Sequence, residues 1–327
     1  YYVVNTDAQH LTRCDVPNKL AVGQKVTRGL GVGGNPEMGR QAAEESREQL
    51  EQMMQGADMV FLAAGMGGGT GTGSIPLIAQ IAKEAGALTI AIVSKPFGFE
   101  VATRRKNADD GISRLVEHVD TLITIPNDRL LETQHHNEQT KSWDDALRLA
   151  DSVLQQGIQA VAEVVMVPGE INVDFADVRT IMHNAGPAWL AIGKGKGENR
   201  AVEAAKAATK SPLLDIAIDG AKRVLFVMTG GPSLTLKEVA QASEIVHELC
   251  DPQANVIFGT TKDPKMDDEV KITLVAASFP VPNENLLQRQ EELRSLLKDS
   301  VVQNGDELDV PSFLRKEAIT RTRGYFG

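Results

Sequence analysis

A glycine-rich run between two apolar patterns constrains this chain more than any other feature. It occupies residues 65–74 and reads Gly-Met-Gly-Gly-Gly-Thr-Gly-Thr-Gly-Ser. The continuous apolar segment 59–64 before it is typical of a strand buried on both faces, and a helical pattern over about 74–85 follows. Glycine lets backbone N–H groups approach a ligand, and a helix N-terminus attracts negative charge. The run is therefore predicted to bind phosphate, because a flexible linker has no reason to lie between these two elements.

The run differs from the two best-known phosphate-binding motifs. A Walker loop would need Gly-x-x-x-x-Gly-Lys followed by Ser or Thr. Residues 29–34 fit Gly-x-Gly-x-x-Gly formally, but polar residues 24–28 precede them where a dinucleotide fold requires a buried strand. We interpret residues 29–34 as a second glycine loop that closes on the same ligand. A helix follows, with Asn35 as its predicted cap and Pro36 at its first position.

Apolar runs and helical patterns alternate through the first half of the chain. Strands separated by helices imply right-handed crossovers and a mostly parallel sheet. The predicted strands lie at 1–4, 59–64, 88–93 and 121–125, and the predicted helices at about 36–55, 74–85 and 101–118.

A longer helical pattern over 143–166 predicts a helix about 35 Å long, which we interpret as a spine between two domains. Gly157 interrupts it at a cost of about 1 kcal/mol relative to alanine, which packing must offset. The pattern that follows favours a smaller α+β domain with a mixed sheet. Its predicted strands lie near 189–192, 224–228, 254–259 and 270–277, and its main helices near 199–208 and 235–249. We therefore divide the chain into domains at 1–142 and 167–279, the spine at 143–166, and a flexible tail at 280–327.

Composition excludes several classes of protein. Apolar residues make up 42% and charged residues 24%, as in a folded globular protein. The 34 Lys and Arg against 44 Asp and Glu give a formal charge of -10, which argues against nucleic acid as a partner. The 2 cysteines make a disulfide framework improbable and fit a reducing cytoplasm. No signal peptide is visible, and no apolar run approaches the roughly 20 residues that cross a bilayer.

Several motifs together resemble one family. Residues 67–73 resemble the signature loop of the tubulins, and further segments resemble the bacterial tubulin homologue FtsZ, in family order. Those segments are Asn-Thr-Asp-Ala-Gln at 5–9, the second glycine loop and helix start at 29–40, Ile-Pro-Asn-Asp at 125–128, and Ser-Pro-Leu-Leu at 211–214. The resemblance covers nearly the whole chain. It implies an α/β fold of the tubulin/FtsZ type, with a GTP-binding domain at 1–142, a central helix and a smaller α+β C-terminal domain.

The resemblance also implies the ligand, GTP or GDP with Mg²⁺, and the residues that bind it. Mg²⁺ would be held mainly by phosphates and water, so no protein metal ligand is expected. Glu100 and Arg104 align with contacts to ribose and phosphate, and Asp151 with the guanine-reading position. The glycine-loop residues implied to contact the nucleotide are Gly33, Gly34, Asn35, Gly67, Gly68, Gly69, Thr70, Gly71, Thr72 and Gly73.

Each of these positions also has a plainer interpretation. Arg104 could belong to a solvated basic helix face, which is how we interpret its neighbours Arg105 and Lys106. Asp151 could be a surface carboxylate on a helix. The chain departs from the family at Val101, where glycine is usual, and at Leu147, where an aromatic residue commonly stacks on the base. The loss of that stacking is expected to cost about 1 kcal/mol in base binding.

A second chemical cluster follows the spine. Asp174 and Asp177 are three residues apart, so at a helix start they would share one face. A lone Asp-x-x-Asp is usually a helix cap plus a solvated charge. The resemblance to the family pattern Asn-x-Asp-x-x-Asp implies instead that Asn172, Asp174 and Asp177 are catalytic. One subunit would hold the nucleotide, and the next would present these side chains to it.

The function that the resemblance implies is a self-polymerising cytoskeletal GTPase that forms the cell-division ring, in the cytoplasm at mid-cell. Its first partner would be a second copy, bound head to tail. Residues 309–315 resemble the family's C-terminal peptide, which binds membrane-tethering and regulatory division proteins, so contact with membrane would be indirect. One alternative is a nucleotide-binding tubulin-like scaffold with little or no turnover. A dinucleotide oxidoreductase is a more distant one, because the strand before Gly29 is missing.

The family also places a further strand and a glycine-rich phosphate loop ahead of the segment that matches residues 1–9. The chain as given has neither, so the first domain is expected to lack part of its sheet and of its nucleotide site. Two explanations are open: a fragment of a longer gene product, or a degenerate GTPase. We favour the fragment.

Overall fold

The computed structural model describes residues 1–132, 143–166, 171, 173–211 and 221–279. The tail at 280–327, with the peptide at 309–315, lies outside the described residues, as do Asn172 and most of the motif at 211–214. None of the described helices is both long and apolar enough to cross a membrane.

Strands and helices alternate through the first half of the chain, as the periodicity predicts. The elements are β1 (Tyr2–Asn5), α1 (Ala8–Arg13), β2 (Asn18–Ala21), α2 (Gln24–Thr27), α3 (Pro36–Glu45), α4 (Arg47–Met54), β3 (Met59–Gly65), α5 (Thr70–Glu84), β4 (Leu88–Lys95), α6 (Ala102–Leu115), β5 (Thr121–Pro126) and α7 (Asn127–Glu132). The sequence patterns missed β2 and the short helices α1, α2 and α7, because segments of 4–6 residues are too short to display a period.

The second half begins with the spine helix, which is helical throughout the predicted range 143–166. Its elements are α8 (Trp143–Met166), α9 (Phe175–Met182), β6 (Gly186–Lys196), α10 (Arg200–Thr209), β7 (Arg223–Gly230), α11 (Leu236–His247), β8 (Asn255–Lys262) and β9 (Glu269–Ala277).

A seven-stranded sheet of order β3-β4-β5-β6-β9-β7-β8 runs through both halves of the chain. Strands β3, β4, β5 and β6 pair in parallel, and β9 is antiparallel to both of its neighbours. The mostly parallel sheet and the mixed C-terminal part are thereby confirmed. Strands β5 and β6 pair over only three positions, from Thr121↔Gly186 to Ile123↔Ala188. That short seam joins the two predicted domains in one sheet, which no local pattern indicated.

The prediction that segment 59–64 is buried on both faces is wrong. Ala63 is exposed, and Met59 and Val60 are only half-buried. Within the described residues, β3 is the edge strand of the large sheet, and β1 and β2 form a separate two-stranded parallel sheet. An apolar sequence therefore appears here in a half-covered edge strand.

The spine packs closely on the sheet because of its glycine. A Cβ at Gly157 would lie 2.8 Å from Leu190 Cδ2 and 3.4 Å from Ile92 Cδ1. Val153 and Val161 of the same helix lie in one apolar core with these strands. Burial of this face therefore offsets the helix-propensity cost of about 1 kcal/mol.

Candidate functional site

Three strand ends converge at one edge of the sheet. Strands β3, β4 and β5 are parallel, and their registers pair Gly65 with Ser94 and Lys95 with Pro126. The glycine loop after β3, the turn at 96–100 after β4, and Asn127 after β5 therefore share the carboxyl edge. This edge is where open parallel sheets bind ligands.

The first glycine loop leads directly into α5. Gly69 is the N-cap residue and has no side chain to cap the helix, so the first-turn N–H groups face the loop. Gly67 has φ +100°, a conformation that favours glycine, and a Cβ there would lie 2.8 Å from the carbonyl oxygen of Arg104. Its N–H donates to Thr72 Oγ1 at 2.8 Å. The buried Thr72 side chain therefore holds the loop backbone in place. Thr70 Oγ1 forms a hydrogen bond with Thr6 Oγ1 at 2.6 Å.

The second glycine loop contacts the first. A Cβ at Gly69 would lie 2.8 Å from the backbone nitrogen of Asn35. Asn35 caps α3 as predicted, since its side chain accepts from the N–H of Glu37 at 3.0 Å and of Met38 at 3.4 Å. Gly33 and Gly34 are exposed, with φ of +57° and +81°. The two loops therefore form one glycine-lined surface.

The glycines of the two loops divide into two kinds. A Cβ at Gly33, Gly34 or Gly68 would point into open space, with nothing within 4 Å. A Cβ at Gly73 would instead collide with the carbonyl oxygen of Pro36, and one at Gly71 would lie 2.6 Å from the carbonyl oxygen of Gly65. The first kind leaves open space at the loop surface, and a phosphate group of a ligand could occupy that space. The second kind allows close packing, with α3 against α5 at Gly73.

This division predicts opposite outcomes for two alanine variants. G68A should keep its stability within about 0.5 kcal/mol but weaken GDP binding about tenfold, because its methyl group occupies the open space. G73A should lose about 1–3 kcal/mol of stability, because α3 and α5 must separate. Urea unfolding and GDP titration calorimetry on both variants check this. A G68A protein that binds GDP like the parent would contradict the role assigned to the open glycines.

The turn after β4 holds Glu100 and Arg104 together. The Glu100 carboxylate accepts from the N–H of Phe97 at 2.9 Å and pairs with the Arg104 guanidinium. Arg104 is therefore not merely a solvated charge. Val101 has φ -57°, which any residue adopts, so its replacement of the family's glycine distorts nothing. Arg105 is exposed, as expected of a solvated helix face, and its Nη2 also donates to the carbonyl oxygen of Gly98 at 2.9 Å.

Asn127 is a further candidate site residue that residue-by-residue reasoning missed. It is only 6% exposed, and within the part of the chain that the structure describes its Oδ1 has no hydrogen-bond partner. Buried acceptors are rarely left unpaired, so this atom is suited to a ligand. Its position in the sequence could have indicated it, because it comes immediately after a buried strand that ends at the carboxyl edge of the sheet. Asp151 and Leu147 lie exposed on α8, which packs with Leu130 of α7.

The acidic residues lie elsewhere. Asp174 is the N-cap of α9, its Oδ1 accepts from the N–H of Asp177 at 2.8 Å, and both carboxylates are exposed. Ile171, just before them, exchanges two hydrogen bonds with Thr260 of β8, at 3.1 and 3.2 Å. Strand β8 is six strand spacings from β3, roughly 29 Å along the sheet at about 4.8 Å each. Ile171 therefore lies far along the sheet from the glycine loops, and no hydrogen bond or ion pair among the described residues joins Asp174 or Asp177 to those loops.

No group of three His, Cys, Asp or Glu side chains in the described stretches is arranged to hold a metal ion. The expectation that phosphates and water hold Mg²⁺ stays a prediction.

This fold and these loops define a tubulin-like nucleotide-binding protein: a mostly parallel sheet with two glycine loops at its carboxyl edge, a long central helix and a second α+β domain. Residues 1–135 match the model of the Tubulin/FtsZ family GTPase domain, and residues 186–280 match that of the FtsZ family C-terminal domain. The chain belongs to the FtsZ family.

Solved structures agree with this assignment. An empty FtsZ dimer from M. jannaschii is 44% identical, with a TM-score of 0.81, over 84% of this chain and 79% of that chain. A mutant form of M. jannaschii FtsZ is also 44% identical, with a TM-score of 0.81, over 85% and 82%. The GDP-bound CetZ1 monomer of Haloferax volcanii is 22% identical, with a TM-score of 0.71, over 88% and 87%, and shows the fold alone.

Proposed function

We propose that this chain is a GTPase that polymerises head to tail and hydrolyses GTP at the interface between subunits. The observation that carries the proposal is the separation of the glycine loops from Asp174 and Asp177 within one chain. A site divided in this way becomes complete only when a second copy supplies the missing half. Contact between two different faces generates open filaments. The empty FtsZ dimer and the GTPγS-bound CetZ2 protofilament are precedents for self-association.

The nucleotide would lie across the carboxyl edge of the sheet. Its phosphates would face the open glycines and the N-terminus of α5, where N–H groups and the helix dipole attract negative charge. Glu100 would contact the ribose and Arg104 a phosphate. Asp151 would accept from the N1–H and exocyclic amine of guanine, which adenine cannot match. The match of residues 1–135 to the model of a GTPase domain supports this class of ligand.

The carboxylates of the second copy would act on water rather than on phosphate. Asp174 and Asp177 would repel a triphosphate, so they orient and polarise the attacking water. The hydrogen bond from the backbone N–H of Asp177 fixes the Asp174 carboxylate relative to the first turn of α9, which also carries Asp177. Mg²⁺, when bound to the phosphates, would neutralise part of their negative charge. Asn172 would complete the set, and a monomer would be slow because half of the site is absent.

The same family membership supports the wider cellular role. The protein would form the division ring in the cytoplasm at mid-cell, with residues 309–315 binding membrane-tethering and regulatory proteins. Loss of that peptide is expected to leave polymerisation intact and remove partner binding, which co-sedimentation of the shortened chain would reveal.

Pelleting and phosphate release, measured side by side with GTP, GDP and ATP, test the proposal. We expect pelleting and phosphate release with GTP, and neither with GDP or ATP. Pelleting with GTP but no phosphate release would favour the scaffold alternative. Equal activity with ATP would contradict the guanine-reading role of Asp151. Turnover independent of protein concentration would contradict the shared site.

A further inference from the structure

The turn at 96–100 presents Glu100 to the candidate nucleotide edge. The N–H of Glu100 donates to the carbonyl oxygen of Phe97 at 3.0 Å, and the Glu100 carboxylate accepts from the N–H of Phe97 at 2.9 Å. Side chain and backbone thus close the same turn. Wherever this turn moves, the carboxylate moves with it.

Asp128 holds this turn from the end of the neighbouring strand. Its Oδ1 accepts from the N–H of Gly98 at 2.6 Å, between residues 30 positions apart in the chain. Arg105 donates to the carbonyl oxygen of the same glycine at 2.9 Å. Gly98 is therefore held at both of its backbone polar groups. A Cβ at Gly98 would lie 2.9 Å from Asp128 Oδ2, so a side chain there would displace the Asp128 carboxylate.

The held turn also borders the phosphate loop. A Cβ at Gly67 would lie 2.8 Å from the carbonyl oxygen of Arg104 and 3.3 Å from Pro96 Cγ. The N–H of Met66 donates to the carbonyl oxygen of Ser94 at 2.9 Å. The ends of β3, β4 and β5 are thus linked in series, and Asp128 is the link from β5. A shift of the turn would alter the glycine loop and the position of Glu100 together.

We propose that Asp128 is a positioning residue for guanine nucleotide binding: through Gly98 it fixes the turn that orients Glu100 and borders Gly67. The inference rests on the proposed function, because it assumes that Glu100 faces the nucleotide. Asp128 acts through the acceptor geometry of its Oδ1, and its negative charge is incidental. Geometry and charge can be separated by substitution at this exposed position.

Two crossed variants make that separation. D128N keeps an acceptor oxygen at the same reach and removes the charge, whereas D128E keeps the charge and moves the acceptor by one methylene. We expect D128E and D128A to weaken GDP binding about tenfold and to raise the KM for GTP in proportion. We expect D128N to bind within about threefold of the parent. The kcat at saturating GTP should stay within about twofold in all three, because the acidic residues of the second copy are unchanged.

The matched control is D251A. Asp251 makes the same kind of bond, accepting from the N–H of Gln253 at 2.8 Å, but in an exposed turn next to α11. We expect its GDP affinity to equal that of the parent. If D128N binds as weakly as D128A, or if D128E binds like the parent, the proposal is wrong.

Amide hydrogen exchange in the nucleotide-free protein tests the link without any ligand. Exchange at 96–100 should accelerate in D128A and D128E and remain slow in D128N. Unchanged exchange in D128A would overturn the proposal. A parent chain that binds no guanine nucleotide would overturn the proposed function and, with it, the ligand named here, whereas the exchange result would still show whether Asp128 holds the turn.

Discussion

Replacement of Asp177 by alanine is expected to reduce GTP turnover about 100-fold or more while GTP binding stays unchanged. Groups that activate an attacking nucleophile typically contribute factors of 10² or more. Asp177 is the cleaner of the two carboxylates to remove, because Asp174 also caps α9 and its loss would cost about 1 kcal/mol of stability. Phosphate release and GTP titration calorimetry on D177A measure the two quantities. T180A, an exposed change one turn further along α9, is the control and should keep full turnover.

Mixing two impaired variants distinguishes a shared site from a site within one chain. D177A retains its glycine loops, whereas a T70A/T72A variant loses the two hydroxyls that hold the first glycine loop and retains its carboxylates. In a random 1:1 copolymer, one interface in four pairs an intact loop with intact carboxylates, so turnover should recover to about a quarter of the parent rate. A mixture that stays as slow as its components, while still pelleting, would rule out hydrolysis between subunits.

Replacement of Arg200 by alanine is expected to destabilise the C-terminal part of the chain by about 3–5 kcal/mol. The Arg200 side chain is 8% exposed and donates to Glu238 at 2.7 Å, to Ser233 Oγ at 3.1 Å and to the carbonyl oxygen of Asp267 at 2.8 Å. These bonds tie α10 to α11 and to two loops. Removal of one partner of a buried ion pair leaves the other charge uncompensated, which is what makes the loss large.

Urea unfolding of R200A measures this loss, and R40A is the control. Arg40 and Glu37 form an ion pair that is about half exposed on both sides. Solvent screens such a pair, so R40A should unfold like the parent. Equal behaviour of R200A and R40A would contradict the structural role assigned to the buried pair.

The pH dependence of stability should follow Glu238. The hydrogen bond from Arg200, followed by those from Thr235, lowers the pKa of Glu238 from 4.5 to about 2. A lowered pKa stabilises the folded state fully above pH 4.5, and the contribution is lost as the pH falls towards 2. Each pKa unit is worth about 1.4 kcal/mol, so the total is about 3 kcal/mol. The stability difference between the parent and E238Q should therefore be constant from pH 7 to 5 and shrink below pH 4.5; a difference that grows below pH 4.5 would contradict this.

Local chemistry was sufficient for several elements of this fold. Periodicity predicted that the chain is helical over 143–166, and the Asn35-Pro36 pair predicted the start of α3. The first glycine loop was visible because its glycines lie between an apolar strand and a helix. Caps, turns and helical faces depend on residues at most a few positions apart, and a sequence displays such spacings directly.

Contacts between distant segments were not visible in the same way. Asn127 and Asp128 were quoted only as part of a motif. Their roles depend on the register that places Pro126 beside Lys95 and so brings Asp128 to Gly98.

By itself, the sequence of this protein determined the two glycine loops, the spine helix and, through its motifs, membership of the FtsZ family. Only the tertiary structure decided which glycines leave room for a ligand, which residue holds the Glu100 turn, and that Ile171, just before the acidic pair, is bonded to the far strand β8. The physical reason is that these properties arise from strand order and register. Strand order and register depend on contacts between segments that are distant in the chain, so no short stretch of residues determines them.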